Sequence, residues 1–372
     1  MTFRFLRPDA ESVWKNERVK KTFSRYRNIL DKEETARYLI AKNLECEFTE
    51  SDPLQELETL LKGKSEEFNE LLGDYSKQEK KINSESDTEK NYINLAETIA
   101  RRYLESCIFC ERRCEVNRIA GEKGYCFLTE DSYLASAFLH MGEESVLIPS
   151  GTIFFQSCNF GCVFCQNYDI SQSWKKSKEI SDVAQKVTKK DIAEIAETLA
   201  NKGAKNINYV GGDPIPNIHN IIGSLHYQES NICQLWNSNF YISNEALDLI
   251  IDFMDFWLPD FKFSTECAQK YSGVQNYFEI ITRNLKRIHD EGSGEIIIRH
   301  LVMPSHVDCC SKPILDFIAK EIPDAAVNIM GQYRSQYKAH RYEEINRSPT
   351  SEEISEVKKY AQELGVLWKP VS

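Results

Sequence analysis

The spacing of apolar and polar positions changes character near residue 151. Residues 1–95 are polar and charged, and apolar positions such as Leu54, Leu57, Leu60 and Leu61 recur at helical intervals. Residues 76–88 read as an exposed linker, and a helix is expected over residues 91–106. From Gly151 onward, short apolar runs alternate with amphipathic stretches. Strands are predicted at 152–156, 206–210, 233–237, 256–262, 295–302 and 326–332, and helices near 188–202, 217–228, 244–254, 275–291 and 311–321. A last helix opens on the capping box Thr350-Ser-Glu-Glu353 and closes near Gly365. Strands alternating with helices imply βα units and a parallel sheet. Six units fit an α/β fold of the incomplete (βα)6 barrel type, although an open sheet would give the same pattern. The expected organisation is a charged helical extension over 1–95, a Cys-rich segment over 96–150, the partial barrel over 151–345, and a terminal helix and tail over 346–372.

Charge and composition narrow the function. The 372 residues carry a formal net charge of −11, which argues against a nucleic-acid partner, since phosphate binding needs clustered Lys and Arg. No stretch of about 18 apolar residues predicts a membrane span. The start, MTFRFLRPDAESVWKNERVKK, lacks the apolar segment of a secretion leader, so a soluble, cytoplasmic protein is expected. In that setting twelve cysteines read as metal ligands rather than disulfides.

The run Cys158-Asn-Phe-Gly-Cys162-Val-Phe-Cys165 carries the most chemistry. Three thiolates in a C-x3-C-x2-C spacing can hold three irons of a [4Fe–4S] cube and leave the fourth iron open to a ligand. In a parallel α/β protein, sites form at the carboxyl ends of strands, and this run directly follows the first predicted barrel strand. Buried free thiols or a structural zinc site are the plainer readings.

The motif, with Phe164 before its last cysteine, resembles the radical S-adenosylmethionine (SAM) superfamily, and the chain as a whole resembles its pyruvate formate-lyase activating enzyme-like branch over roughly residues 100–365. The resemblance implies the partial barrel, a [4Fe–4S] cluster on Cys158, Cys162 and Cys165, and SAM chelated at the open iron. It also implies a one-electron reductant of flavodoxin or ferredoxin type, and an oxidoreductase that makes a 5′-deoxyadenosyl radical. Gly211, Gly212 and Asp213 match the segment that meets the methionine ammonium, although the third residue is usually Glu. Asn237 and Ser238 are expected near the ribose or methionine portion. Asp260 and Lys262, two apart on one strand face, are expected at the SAM carboxylate. Arg299 is expected to contact an anion or the ribose, Phe164 to pack near adenine, and Gln332 and Tyr333 to line the mouth. His300, on the opposite face from Arg299, reads equally as a packed core residue. The substrate is open, with a glycyl residue of a protein partner one option. Established glycyl-radical activators carry a tryptophan–glycine lead-in where this chain has Gly151-Thr-Ile-Phe-Phe-Gln-Ser157.

A second group, Cys107, Cys110, Cys114 and Cys126, offers four thiols in a C-x2-C-x3-C-x11-C spacing. It suits either a tetrahedral zinc or a second Fe–S cluster. Cys233 and Cys267 read as core or helix positions, and Cys309 and Cys310 as buried thiols after a strand end. The rival function is a non-catalytic zinc- or Fe–S-binding scaffold or electron carrier.

Overall fold

The computed structural model describes residues 7–76, 90–172, 179–292 and 294–372. Its sheet contains β1 (Ser132–His140), β2 (Ser150–Phe155), β3 (Gln185–Val187), β4 (Asn206–Gly211), β5 (Cys233–Ser238), β6 (Phe256–Pro259), β7 (Glu295–Leu301) and β8 (Ala326–Met330), in the order β3-β1-β2-β4-β5-β6-β7-β8. β2, β4, β5, β6, β7 and β8 pair in parallel and, among the described residues, β8 does not pair with β2, so these six strands form an unclosed barrel. Each predicted barrel strand lies within a few residues of an observed one. The expected linker, beyond Ser76, lies outside the described residues.

Two strands were not foreseen. β1 and β3 extend the sheet antiparallel beside β2, pairing Phe138 with Thr152 and Tyr133 with Lys186. β1 lies inside the Cys-rich segment, where the metal pattern masks its weak alternation.

The charged helical extension expected over 1–95 is not a separate, solvated element. Val19, Phe23, Tyr26 and Ile29, from helices Glu17–Thr22 and Ser24–Leu30 and the residue between them, are buried against Leu235, Phe256, Leu258 and Ile297. Those four strand residues alternate with Trp236, Trp257, Ile296 and Ile298, which pack in the larger core cluster with the surrounding helices. The N-terminal helices therefore fill the lower part of the barrel lumen. Phe23 stacks on Phe256 at 5.5 Å between centroids, and the Tyr26 hydroxyl accepts from Asn206 Nδ2 at 3.0 Å. The Glu295 carboxylate accepts from the backbone N–H groups of Arg25 and Tyr26 at 2.8 and 2.9 Å, capping the second helix from across the lumen. Local composition hid this because the apolar residues are sparse among charges and their strand partners lie far along the chain.

The lumen changes polarity upward. Along β5 the inward series is Cys233, Leu235, Asn237; along β6 and its extension it is Phe256, Leu258, Asp260; along β7 it includes Ile297 and Arg299. Apolar residues meet the plug, and polar ones crown it at the carboxyl ends. Among the described residues, no helix is long and apolar enough to cross a membrane.

Candidate active site

At the carboxyl ends of the strands, a cavity of about 240 Å³ gathers Cys158, Cys162, Cys165, Phe164, Gly211, Gly212, Asp213, Asn237, Ser238, Asp260, Lys262 and Arg299. Every residue assigned from sequence to the first cluster or to SAM lies on this wall. Their individual geometries differ from expectation in instructive ways.

The cysteine loop leaves β2 through Ser157, whose φ of +83° turns the chain sharply. The Phe160 N–H donates to Cys158 Sγ at 3.3 Å, and the hydroxyls of Ser272 and Ser171 lie 3.1 Å from Cys162 and Cys165 Sγ. Burial pushes the Cys162 thiol up to about 11 and raises Cys158 and Cys165 as well. Among the described residues these three sulfurs do not all lie within 4.8 Å of one another.

The two glycines are explained by backbone rather than by ligand. A Cβ on Gly212 would stand 1.7 Å from the Ser157 carbonyl oxygen, and one on Gly211, at φ +140°, would stand 2.2 Å from Phe155 N. The β4 end is pressed against the β2 end, which fixes where the cysteine loop begins. Asp213 is also a fastener. Its carboxylate accepts from Ile215 N at 3.0 Å, Asn239 N at 2.8 Å and Ser238 Oγ at 3.1 Å, which spends the Ser238 hydroxyl expected to face a ligand. Burial pushes the Asp213 carboxyl up to about 7.

Asn237 keeps a free hand. Its Oδ1 lies 3.4 Å from Arg299 Nη1, while its buried Nδ2 has no partner. A buried donor without an acceptor is costly unless a ligand supplies one. Lys262 Nζ lies 2.6 Å from Asp260 Oδ2, with side-chain exposures of 23% and 22% that exclude a simple surface pair. Burial works against the lysine's charge, but Asp260 and the Cys162 thiol outweigh it, and its pKa is raised.

Arg299 is less available than expected. It forms a bidentate pair with Glu144, at 2.8 and 2.9 Å, and a further contact with Glu143. Both glutamates lie in the β1–β2 loop, and no motif around them pointed to a role. Burial disfavours charge on Glu143, yet Arg299 and His140 outweigh it and hold the carboxyl down to about 2. Phe164 is buried edge-on to Phe263, with centroids 5.6 Å apart. Gln332 lines the cavity, and Tyr333 instead donates to the Ile345 carbonyl at 2.8 Å. His300 sits between the Phe261 carbonyl and Ser311 Oγ, each at 2.8 Å, and burial lowers its pKa to about 4. It is a core residue.

Cys107, Cys110, Cys114 and Cys126 line one small cavity with Arg112, Arg118 and Tyr125. Arg118 donates to the Thr129 and Pro216 carbonyls at 2.8 and 2.9 Å and approaches Cys107 Sγ at 3.8 Å. Tyr125 N–H donates to Cys114 Sγ at 3.5 Å. Arg112 bridges the two cysteine groups: it lies over the Tyr125 ring at 3.4 Å and donates to the carbonyls of Asn159 and Gly273.

The family comparison agrees with this geometry. Residues 152–318 match the radical SAM superfamily. An uncharacterized protein of Methanocaldococcus jannaschii is 43% identical over 335 residues, covering 88% of this chain and 93% of that one. Among solved structures, a domain of pyruvate-formate lyase-activating enzyme from Bacteroides vulgatus is 16% identical, with a TM-score of 0.36, covering 45% of this chain and 98% of that one. Streptococcus suis SuiB bound to S-adenosylmethionine is 12% identical, with a TM-score of 0.42, covering 57% of this chain and 48% of SuiB, so the match spans about half of SuiB's length. With a three-cysteine loop at the first βα turn of an open barrel and a sequence match over residues 152–318, this chain carries a radical SAM superfamily domain.

Proposed function

We propose that this chain is a radical SAM oxidoreductase of the activating-enzyme-like kind, holding a [4Fe–4S] cluster on Cys158, Cys162 and Cys165 and SAM in the adjoining cavity. The observation that carries this reading is the convergence of three cysteine sulfurs, an unpartnered Asn237 Nδ2 and the Asp260–Lys262 pair on one wall. When bound, the reduced cluster and SAM supply a 5′-deoxyadenosyl radical able to abstract hydrogen. The protein's own groups bind and orient. Lys262 meets the SAM carboxylate while Asp260 fixes the ammonium's position. Asn237 Nδ2 donates to the methionine or ribose portion. Asp213, Gly211 and Gly212 hold the strand ends that place these groups, and the aromatic wall of Phe164 and Phe263 keeps water from the reacting centre.

A flavodoxin or ferredoxin type protein is the proposed one-electron donor. Activation of a glycyl radical enzyme is one substrate assignment, with another peptide or a small molecule as alternatives. At the second group, no three sulfurs lie within 4.8 Å of one another among the described residues. A structural metal such as zinc, toward which the sequence leans slightly, and a second Fe–S cluster are the two readings of this group.

Anaerobic reconstitution with iron and sulfide, then dithionite and SAM, tests the activity. Formation of 5′-deoxyadenosine by wild type but not by Cys162→Ala is expected. No product from either protein would favour the non-catalytic scaffold or electron carrier.

A further inference from the structure

Cys267 and the pair Cys309–Cys310 lie far apart in sequence but meet in the fold. Cys267 is on helix Thr265–Ser272, after β6, and the pair is on the π-helical turn Val307–Ser311, after β7. Their three sulfurs all lie within 4.8 Å of one another, and among the described residues this is the one group of metal-ligating side chains so placed. The sulfurs of Cys309 and Cys310 are 3.8 Å apart. A tetrahedral ion with metal–sulfur bonds of about 2.3 Å sets its ligands about 3.8 Å from one another. The three thiols therefore stand at single-ion spacing, unlike the two wider groups described above.

His306 supplies a fourth group. Its ring is in hydrogen-bond contact with Cys267, and its Nδ1 lies 2.6 Å from the Pro304 carbonyl. That bond orients the ring and leaves Nε2 to face sulfur, the arrangement by which backbone carbonyls fix metal-binding imidazoles. His306 is 6% exposed and packs edge-on to Tyr271 at 5.2 Å.

We propose that Cys267, Cys309 and Cys310 bind one zinc ion as thiolates, with His306 as the fourth ligand. Three soft sulfurs at single-ion spacing, with an imidazole in contact with Cys267, suit zinc. Binding displaces the three thiol protons to solvent and involves no redox change. The ion would clamp the loop after β6 to the loop after β7. The clamped helix ends at Ser272, whose hydroxyl touches Cys162 Sγ, so the site braces one wall of the cluster cavity.

The test compares full-length wild type with Cys309→Ser and Cys267→Ser, chosen because these sulfurs are exposed and half-buried while Cys310 is buried. Each protein is reconstituted anaerobically, exposed to zinc, freed of loose metal and assayed for zinc, iron and sulfide. One equivalent of zinc retained by wild type and lost in each variant, with iron and sulfide unchanged, is expected. His306→Asn should weaken zinc retention by about tenfold or more. Cobalt added in place of zinc should give thiolate-to-cobalt absorption in wild type that Cys309→Ser lacks. Equal zinc in wild type and both variants overturns the proposal. So does a Cys267 disulfide to Cys309 or Cys310 in wild type purified under reductant that takes up no zinc.

Discussion

Lys262 Nζ sits 2.6 Å from Asp260 Oδ2 on the inner wall of the barrel mouth, in the cavity that Cys158, Cys162 and Cys165 also line. Because the two residues are one strand period apart they share a face, and neither can turn to solvent without leaving the other in a partly buried site. The pair presents a fixed ammonium to whatever anion enters. Lys262→Met should weaken SAM binding to the reconstituted protein by about 10- to 100-fold, the range of one charge-assisted hydrogen bond of about 1.5–3 kcal/mol. Equilibrium binding measured anaerobically checks it, and unchanged affinity would remove Lys262 from the carboxylate site.

Gly212 should be irreplaceable for a reason unrelated to ligand. Gly212→Ala forces its Cβ against the Ser157 carbonyl and displaces the start of the cysteine loop. A loss of about 1–3 kcal/mol in stability and reduced iron incorporation are expected. Gly63, inside helix Leu54–Ser76 with nothing within 4 Å of a Cβ, is the control: Gly63→Ala should gain about 0.5–1 kcal/mol in denaturant unfolding.

The N-terminal helices are part of the barrel's core. Phe23→Ala should cost about 3–5 kcal/mol, as for any fully buried aromatic, whereas a solvated extension would lose almost nothing. Urea unfolding distinguishes the two.

Much of this architecture was legible because the barrel strands carry short apolar runs bounded by turn residues, as strands covered on both faces tend to read. The cysteine loop was legible because its ligands are close together in sequence. What escaped depends on distant partners. Phe23 and Tyr26 look solvated until Phe256 and Asn206 are seen above them. Arg299 looks free until Glu143 and Glu144 enter from the β1–β2 loop. Cys267 looks like an isolated helix residue until the turn after β7 brings Cys309 and Cys310 to it. Asp213 read as a shortened ligand residue, yet its three donors all come from the chain itself.

His300 gives a pH dependence. Its imidazole titrates near pH 6.5 when unfolded, while burial lowers it to about 4 in the fold, so the unfolded chain binds the extra proton between those values. Stability contributed by the neutral ring is complete above pH 6.5 and is lost as pH falls toward 4. Between pH 7 and 5 this amounts to about 2 kcal/mol. Unfolding free energies of wild type and His300→Gln at both pH values should show the slope reduced by that amount in the variant.

The central claim is that three cysteines leave one iron open for SAM beside the Asp260–Lys262 pair. Its most direct test is the electron paramagnetic resonance spectrum of the dithionite-reduced cluster before and after SAM is added. In a variant lacking the second cysteine group, a clear shift in g-values on adding SAM is predicted. A spectrum unchanged by saturating SAM would contradict the account.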